Sequence, residues 1–236
     1  MNLQVAEQAA HCVYSPACAD QHWYPILKRG LDVVVAAAAL IVLMPLFLVI
    51  AVAIYLDSPG PVLFRQQRVR GNWRPEMGPP EQRLFTFFKF RSMMPNADPR
   101  VHQEHVAEYI NGNGKKQGAT YKMRNDRRVT RVGRLLRRTS LDELPQLINV
   151  LRGDMSLVGP RPSMPYEVAQ YKDGHYDRLT VTPGLTGLWQ VSGRSQLTFE
   201  EMIRLDREYV RRRSLWLDLW ILLKTVPAVV EGGGAC

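Results

Sequence analysis

Two adjacent carboxylates, Asp142 and Glu143, follow a run of cations made by Arg127, Arg131, Arg134, Arg137 and Arg138, and Arg161 stands a short way beyond them. Upstream, Leu84-Phe-Thr-Phe-Phe-Lys-Phe-Arg91 reads as a short aromatic strand with Lys89 and Arg91 on one side. Cations gathered around paired carboxylates suit phosphoryl transfer, which needs anion clamps, often a divalent cation, and an ionised nucleophile or base. Arg137, Arg138 and Arg161 can offer planar donor forks to phosphate oxygens, and Lys89 a compact charge. Asp142 or Glu143 can ligate magnesium or attack phosphorus. A purely structural reading competes. Ser140-Leu-Asp-Glu143 has the form of a capping box, with Ser140 as N-cap and Glu143 at N3. Pro145 argues instead for a helix that begins at Leu144 with the proline at N1. Either way the carboxylates sit at a helix N-terminus, which helps keep them ionised. The arginine run reads equally as a solvated basic face or as a phosphate or lipid-headgroup surface.

The elements that must position these groups follow from local pattern. The helix continues from Gln146 to Leu151 and Gly153 ends it. Gly153-Asp-Met-Ser-Leu-Val-Gly-Pro-Arg-Pro162 is a rigid, turn-rich segment that aims Arg161. Pro183-Gly-Leu-Thr-Gly-Leu-Trp-Gln-Val-Ser-Gly-Arg194 has the character of a ligand-contacting loop, its glycines permitting close backbone approach, which makes Gln190 and Arg194 candidate substrate contacts. Helices are expected over Glu167–Tyr176 and over Phe199–Val210, the second carrying Asp206. Pro61–Arg68 reads as extended, Gly71–Pro80 as a surface loop, and positions 94–125 as a helix and a loop.

The apolar residues are unevenly placed. Val33 to Leu56 is a run of 24 residues without charge or strongly polar side chains. As a helix it reaches roughly 36 Å, enough for a bilayer core. Lys28, Arg29 and Asp32 precede it, and Arg65, Arg68, Arg70 and Arg74 follow, so the positive-inside rule assigns no orientation. Pro45 lies in its middle, where a missing hydrogen bond kinks or breaks a helix. A straight span and a re-entrant hairpin bent at Pro45 both fit. Leu215 to Val230 is also mostly apolar, with Trp216 and Trp220 one turn apart. Asp218, Lys224, Pro227 and its short length favour a helix lying in the membrane interface.

Residues 61–236 hold 29 basic and 18 acidic residues, a net +11 that suits an anionic leaflet, phosphate ligands or nucleic acid. No recognition helix, zinc finger or RNA-binding motif appears, so nucleic acid is excluded as a partner. A P-loop is also missing. Cys12, Cys18 and Cys236 cannot make a disulfide framework, and Cys12 and Cys18 with His11 and His22 match no zinc spacing.

Four motifs occur in order behind the apolar segment: Lys89-Phe-Arg-Ser-Met93, Thr139-Ser-Leu-Asp-Glu-Leu-Pro-Gln146, Gly153 to Pro162, and Pro183-Gly-Leu-Thr-Gly-Leu-Trp-Gln190. From about Tyr24 to Val230 the chain resembles the bacterial sugar transferases, the monotopic polyprenyl-phosphate phosphoglycosyl transferases. That resemblance implies transfer of a sugar 1-phosphate from a nucleotide diphosphate sugar to a polyprenyl phosphate, usually undecaprenyl phosphate, with release of a nucleoside monophosphate. It further implies Asp142 as aspartyl nucleophile, Glu143 as its partner, Lys89, Arg137 and Arg161 as site cations, Asp206 as a further carboxylate, and Mg2+ as the cation. Direct single displacement, or a non-catalytic scaffold holding polyprenyl phosphate, are the rival readings. The ending Tyr209-Val-Arg-Arg-Arg-Ser-Leu-Trp-Leu-Asp-Leu resembles exopolysaccharide and lipopolysaccharide hexose enzymes and favours UDP-glucose or UDP-galactose. Met44-Pro45 departs from the Ser-Pro break common in the family. The fold expected is mostly α with a small β element. Residues 1–23 form a flexible lead-in, 24–58 a re-entrant helix-break-helix, 59–230 a compact cytosolic catalytic domain with interface-lying amphipathic helices, and 231–236 a flexible tail. The expected location is the cytoplasmic face of the bacterial inner membrane, with its lipids, and a homodimer as further partners.

Overall fold

The computed structural model describes residues 23–110, 126–172 and 174–230. The lead-in before Trp23, the 111–122 stretch and the tail lie outside the described residues.

The apolar run Val33–Leu56, together with the turns that lead into it from Pro25, makes one long helix, α1 (Tyr24–Asp57), which ends where Ser58 turns extended. Pro45 lies within it, so the expected helix-break-helix is a single helical element. One proline removes one backbone hydrogen bond, and the flanking turns keep theirs. It is the one described helix long and apolar enough to cross a membrane, and most of its apolar window faces outward. Both of its ends grip the same body. Near the start, Lys28 Nζ meets Asp218 Oδ2 at 2.8 Å, Arg29 donates to the carbonyls of Val150 and Leu151 at 2.6 and 2.8 Å, and Asp32 accepts from the Leu157 amide at 2.9 Å. Near the end, Asp57 accepts from the Val132 amide at 2.9 Å, and Phe47 packs edge-on against Phe90.

The body is mostly helical with two small sheets. Strands β1 (Leu63–Val69) and β2 (Leu84–Phe90) pair antiparallel, Leu63 opposite Phe90. Helices α2 (Arg100–Ile110), α3 (Arg131–Thr139) and α4 (Gln146–Arg152) follow, and then β3 (Ser156–Val158). After α5 (Pro165–Val168) comes β4 (Gly184–Thr186), parallel to β3. The chain closes with α6 (Leu188–Ser192), α7 (Phe199–Arg212) and α8 (Leu215–Val230). The helix expected over Glu167–Tyr176 is only the short α5, followed by a 3-10 turn over His175–Thr180. The stretch read as a ligand loop, Pro183 to Arg194, is instead β4 and α6.

Two apolar clusters hold this together. The larger joins β1, β2, α4, β3, α7 and α8 and takes in Ala36 of α1. The smaller packs Ile50 and Ile54 of α1 against Phe90 and Leu136, with Leu141 and Leu144 at its edge. These last two flank the carboxylate pair, so the second half of α1 is the floor on which that pair rests.

Candidate active site

The carboxylates do not form a capping box. Ser140 ends α3 in the left-handed region, φ 57°, and opens a 3-10 turn over Leu141–Glu143 with no side-chain cap. Helix α4 then starts at Gln146, with Pro145 in the N-cap position rather than at N1. The cause is room: α3 runs to Thr139, so Ser140 has to reverse the chain instead of starting a helix. A non-glycine residue there costs about 1–3 kcal/mol, of the kind stored at functional sites. The reversal turns Asp142 inward, 5 % exposed, and leaves Glu143 half-buried beside it.

Three cations converge on this turn. Lys89, on the β2 face that continues from core residues Phe85 and Phe87, holds its ammonium over the Phe64 ring, 5.4 Å from the centroid. Burial brings its pKa down to about 8, with Asp142 opposing and Arg137 and Arg68 reinforcing the fall. Arg137, in the last turn of α3, donates from Nε to Ser92 Oγ at 2.9 Å. Burial lowers its pKa while Asp142 pulls it back up, and a guanidinium stays charged regardless. Arg161 Nη1 stands 3.6 Å from Glu143 Oε1, an ion pair too long to be a strong hydrogen bond.

Arg161 projects from a turn whose backbone is held residue by residue. The Pro160 carbonyl accepts from the Gly184 amide, that of Arg161 from Arg178 Nη2, that of Pro162 from Arg68 Nη1, and that of Ser163 from the Val69 amide, at 2.8, 3.2, 3.0 and 2.9 Å. Gly184 is required by the chain itself rather than by a ligand: a Cβ there would lie 2.0 Å from the Gly159 amide nitrogen. Asp206 is fully buried and faces Arg178 at 2.8 Å, so it reaches the site through that arginine and the Arg161 carbonyl. Burial raises its carboxyl to about 6, and Arg178 works against the rise.

Among the other expected residues, Arg91 and Arg138 stand apart from this turn. Arg91 lies past the end of β2, where strand alternation no longer applies. It is buried with its guanidinium on the Ser58 carbonyl, fixing the exit from α1. Arg138 is on the exposed side of α3. Gln190 and Arg194 line a cavity with Glu143 and Arg161. Trp216 is 65 % exposed on α8, and Trp220 is half-buried under Lys224. Sequence reasoning passed over the braces Arg68 and Arg178, the Arg137 partner Ser92, and His102. Burial, then Arg68, Arg161 and Lys89, lower the His102 imidazole to about 4, and its Nδ1 meets Tyr166 Oη at 2.8 Å. The only sequence signal for Arg68 is its place in a strand. Ser92 has its place in the Lys89-Phe-Arg-Ser-Met93 motif, and Arg178 and His102 have none.

Carboxylates ringed by cations, beside a partly apolar cavity, have the chemistry of a site for phosphate-bearing ligands. The family model described as "Bacterial sugar transferase" matches residues 23–232, and the chain belongs to that family. It is 40 % identical to the exopolysaccharide production protein ExoY of Rhizobium meliloti, over 88 % of this chain and 87 % of that one. The undecaprenyl-phosphate galactose phosphotransferase of Salmonella typhimurium is 40 % identical over 89 % of this chain and 41 % of its own length. The UDP-glucose:undecaprenyl-phosphate glucose-1-phosphate transferase of Xanthomonas campestris pv. campestris is 42 % identical over 89 % of this chain and 40 % of its own. The chain thus spans less than half of these two longer relatives.

Proposed function

We propose that this chain transfers hexose 1-phosphate from a UDP-sugar to undecaprenyl phosphate at the cytoplasmic face of the inner membrane, the first membrane-bound step of a surface glycan. The observation that carries the reading is the placing of Lys89 and Arg137 beside the inward-turned Asp142 and of Arg161 against Glu143, on a turn that packs over the apolar helix α1. The names of relatives supply the substrates by analogy, glucose and galactose among them.

The residues divide the work as follows. Lys89, Arg137 and Arg161 bind the diphosphate and stabilise charge that grows on its oxygens. A carboxylate oxygen of Asp142 attacks the sugar-linked phosphorus, and the bond from that phosphorus to the bridging oxygen breaks. UMP leaves with the bridging oxygen, and the phosphosugar stays on Asp142. An oxygen of the lipid phosphate then attacks the same phosphorus, which restores the carboxylate and yields the lipid diphosphate sugar. Asp142 and Glu143 provide two adjacent carboxylates, and among the described residues no larger cluster of metal-ligating side chains exists. That set fits magnesium, which takes one or two carboxylates and draws its remaining ligands from phosphate and water. When bound, it would neutralise charge on the diphosphate.

Membrane attachment follows from α1. A straight helix of 34 residues is about 51 Å long, yet residues near both ends bond to one body. A fully spanning helix would carry those ends to opposite sides of the bilayer. Ends held on one side favour a helix that enters the leaflet and comes back to the same face, which an unbroken helix can do only by bending, and Pro45, where a backbone hydrogen bond is missing, is the place for that bend.

Incubation with UDP-hexose alone tests the chemistry. Peptide mapping should find one phosphohexose on Asp142 and one UMP released per chain, with further turnover only after polyprenyl phosphate is added. Turnover by Asp142→Asn, or activity that requires both substrates at once, would establish single displacement instead.

A further inference from the structure

A cavity of about 300 Å3 opens between the carboxylate turn, the β4–α6 segment and α8. Building on the transfer reaction above, we propose that it receives the isoprene units nearest the phosphate of the polyprenyl acceptor, while the rest of that chain stays in the leaflet. Its wall is divided by chemistry. Glu143, Arg161 and Arg194 give it charge, while Leu144, Leu185, Leu222 and Val229 give it an apolar face. The cations suit the acceptor's phosphate, and Arg161 also stands beside Glu143, so that phosphate would lie next to the nucleophile's turn.

The apolar side leads outward. On α8, Leu222, Thr225 and Val229 face the cavity, whereas Leu219, Leu223 and Val226 are exposed. At 3.6 residues per turn these two sets form neighbouring stripes on one helix, so lipid touching the outer stripe is continuous with the cavity. The volume is at the low end of the 300–1,000 Å3 typical of small-molecule sites, about right for a short part of a long chain. A nucleotide or sugar ring placed against Leu144, Leu185, Leu222 and Val229 would bury hydroxyls and amides without partners, at a cost that a prenyl chain avoids. The occupant favoured here is therefore the lipid.

The test uses the full chain in lipid nanodiscs and a polyprenyl phosphate with a diazirine on the isoprene nearest the phosphate. Irradiation should label peptides that contain residues 185–194 or 219–229, and unlabelled polyprenyl phosphate should compete while UDP should not. Leu222→Trp, which fills the cavity, should raise the KM for the acceptor about tenfold, the size of a single poorly fitted apolar group, and move the KM for UDP-hexose far less. Leu223→Trp on the exposed stripe is the matched control. Labelling elsewhere, displacement by UDP, or equal effects of the two tryptophans would overturn the assignment. Labelling in the cavity without UMP release would keep this site and overturn the transfer reaction. UMP release with labelling elsewhere would do the reverse.

Discussion

At the scale of single residues, Lys89 makes a pH prediction. Its pKa is about 8 in the folded chain against 10.5 ordinarily, because burial disfavours the charged form. Between those values the unfolded chain binds the extra proton, so the contribution of Lys89 to stability rises with pH there. Substrate binding runs the other way, since the phosphate-facing charge is lost as pH climbs through 8. The KM for UDP-hexose should therefore increase above about pH 8, and Lys89→Arg should remove that increase because a guanidinium does not deprotonate in this range. A wild-type profile that stays flat to about pH 10 would count against Lys89 as a phosphate ligand. Arg161→Ala should cost about 2–4 kcal/mol at the transition state, whereas Arg74→Ala, an exposed loop charge, should change kcat/KM only slightly. Comparable small losses at both would put the clamp somewhere else. Much of this site is legible in the chain because charge and spacing survive any local conformation. Lys89, Arg137, Asp142, Glu143 and Arg161 need only be brought near one another. Arg91 was misread for a local reason: alternation carries a residue to one face only while the strand lasts, and β2 ends one residue earlier.

Elements show where pattern reading stops. Ser140-Leu-Asp-Glu143 and Thr198-Phe-Glu-Glu201 have the same form, yet only the second is a capping box, with Thr198 Oγ1 accepting from the Glu201 amide at 3.3 Å and Glu201 accepting from the Thr198 amide at 2.7 Å. The difference lies in what precedes each: Leu197 is already extended after a 3-10 turn over Arg194–Gln196, which leaves Thr198 free to start a helix, whereas α3 runs to Thr139, directly before Ser140. Packing also decided Gly184 and Gly187, where a Cβ would strike the Gly159 backbone just past β3, and Gly193, where it would strike the Leu197 side chain. Nothing local marks Arg178 as the partner of Asp206, since they stand 28 positions apart with strand β4 and helix α6 between them in the chain. This pair carries a prediction of its own. Arg178→Ala leaves a buried carboxylate without its cation and should destabilise by about 3–5 kcal/mol. Adding Asp206→Asn to that variant should recover part of the loss, measured by thermal unfolding in detergent. No recovery would mean that Arg178 matters through its bonds to the Arg161 carbonyl and the Tyr171 hydroxyl and not through Asp206. Gly133→Ala should be costly in the same assay, because its Cβ would meet the Ser92 carbonyl at 2.1 Å and displace the residue that holds Arg137.

For the whole molecule, the decisive question is which side of the membrane each end of α1 occupies. The apolar run alone allows a span or a return, and basic residues on both flanks favour neither orientation. Contacts distant in sequence add what the run lacks. Asp218, nearly two hundred residues beyond Lys28, takes hydrogen bonds from Tyr24, Lys28 and Tyr209 and pins the start of α1 to α7 and α8. Asp57 and Ser58 pin its end to α3 and Arg91. Outward-facing Val34, Ile41, Val42, Leu48 and Val49 then join the exposed stripe of α8 as the surface for lipid. If the helix dips and returns, the sequence before it and the body after it share one side. With Cys12, Cys18 and Cys236 replaced, single cysteines at Gln4 and at exposed Asn96 can be challenged in intact cells with an impermeant thiol reagent. Both should stay protected until the inner membrane is permeabilised. Prompt labelling at Gln4→Cys with protection at Asn96→Cys would make α1 a full span, and the bonds from Lys28 and Arg29 to the body could not then exist in the membrane-bound protein.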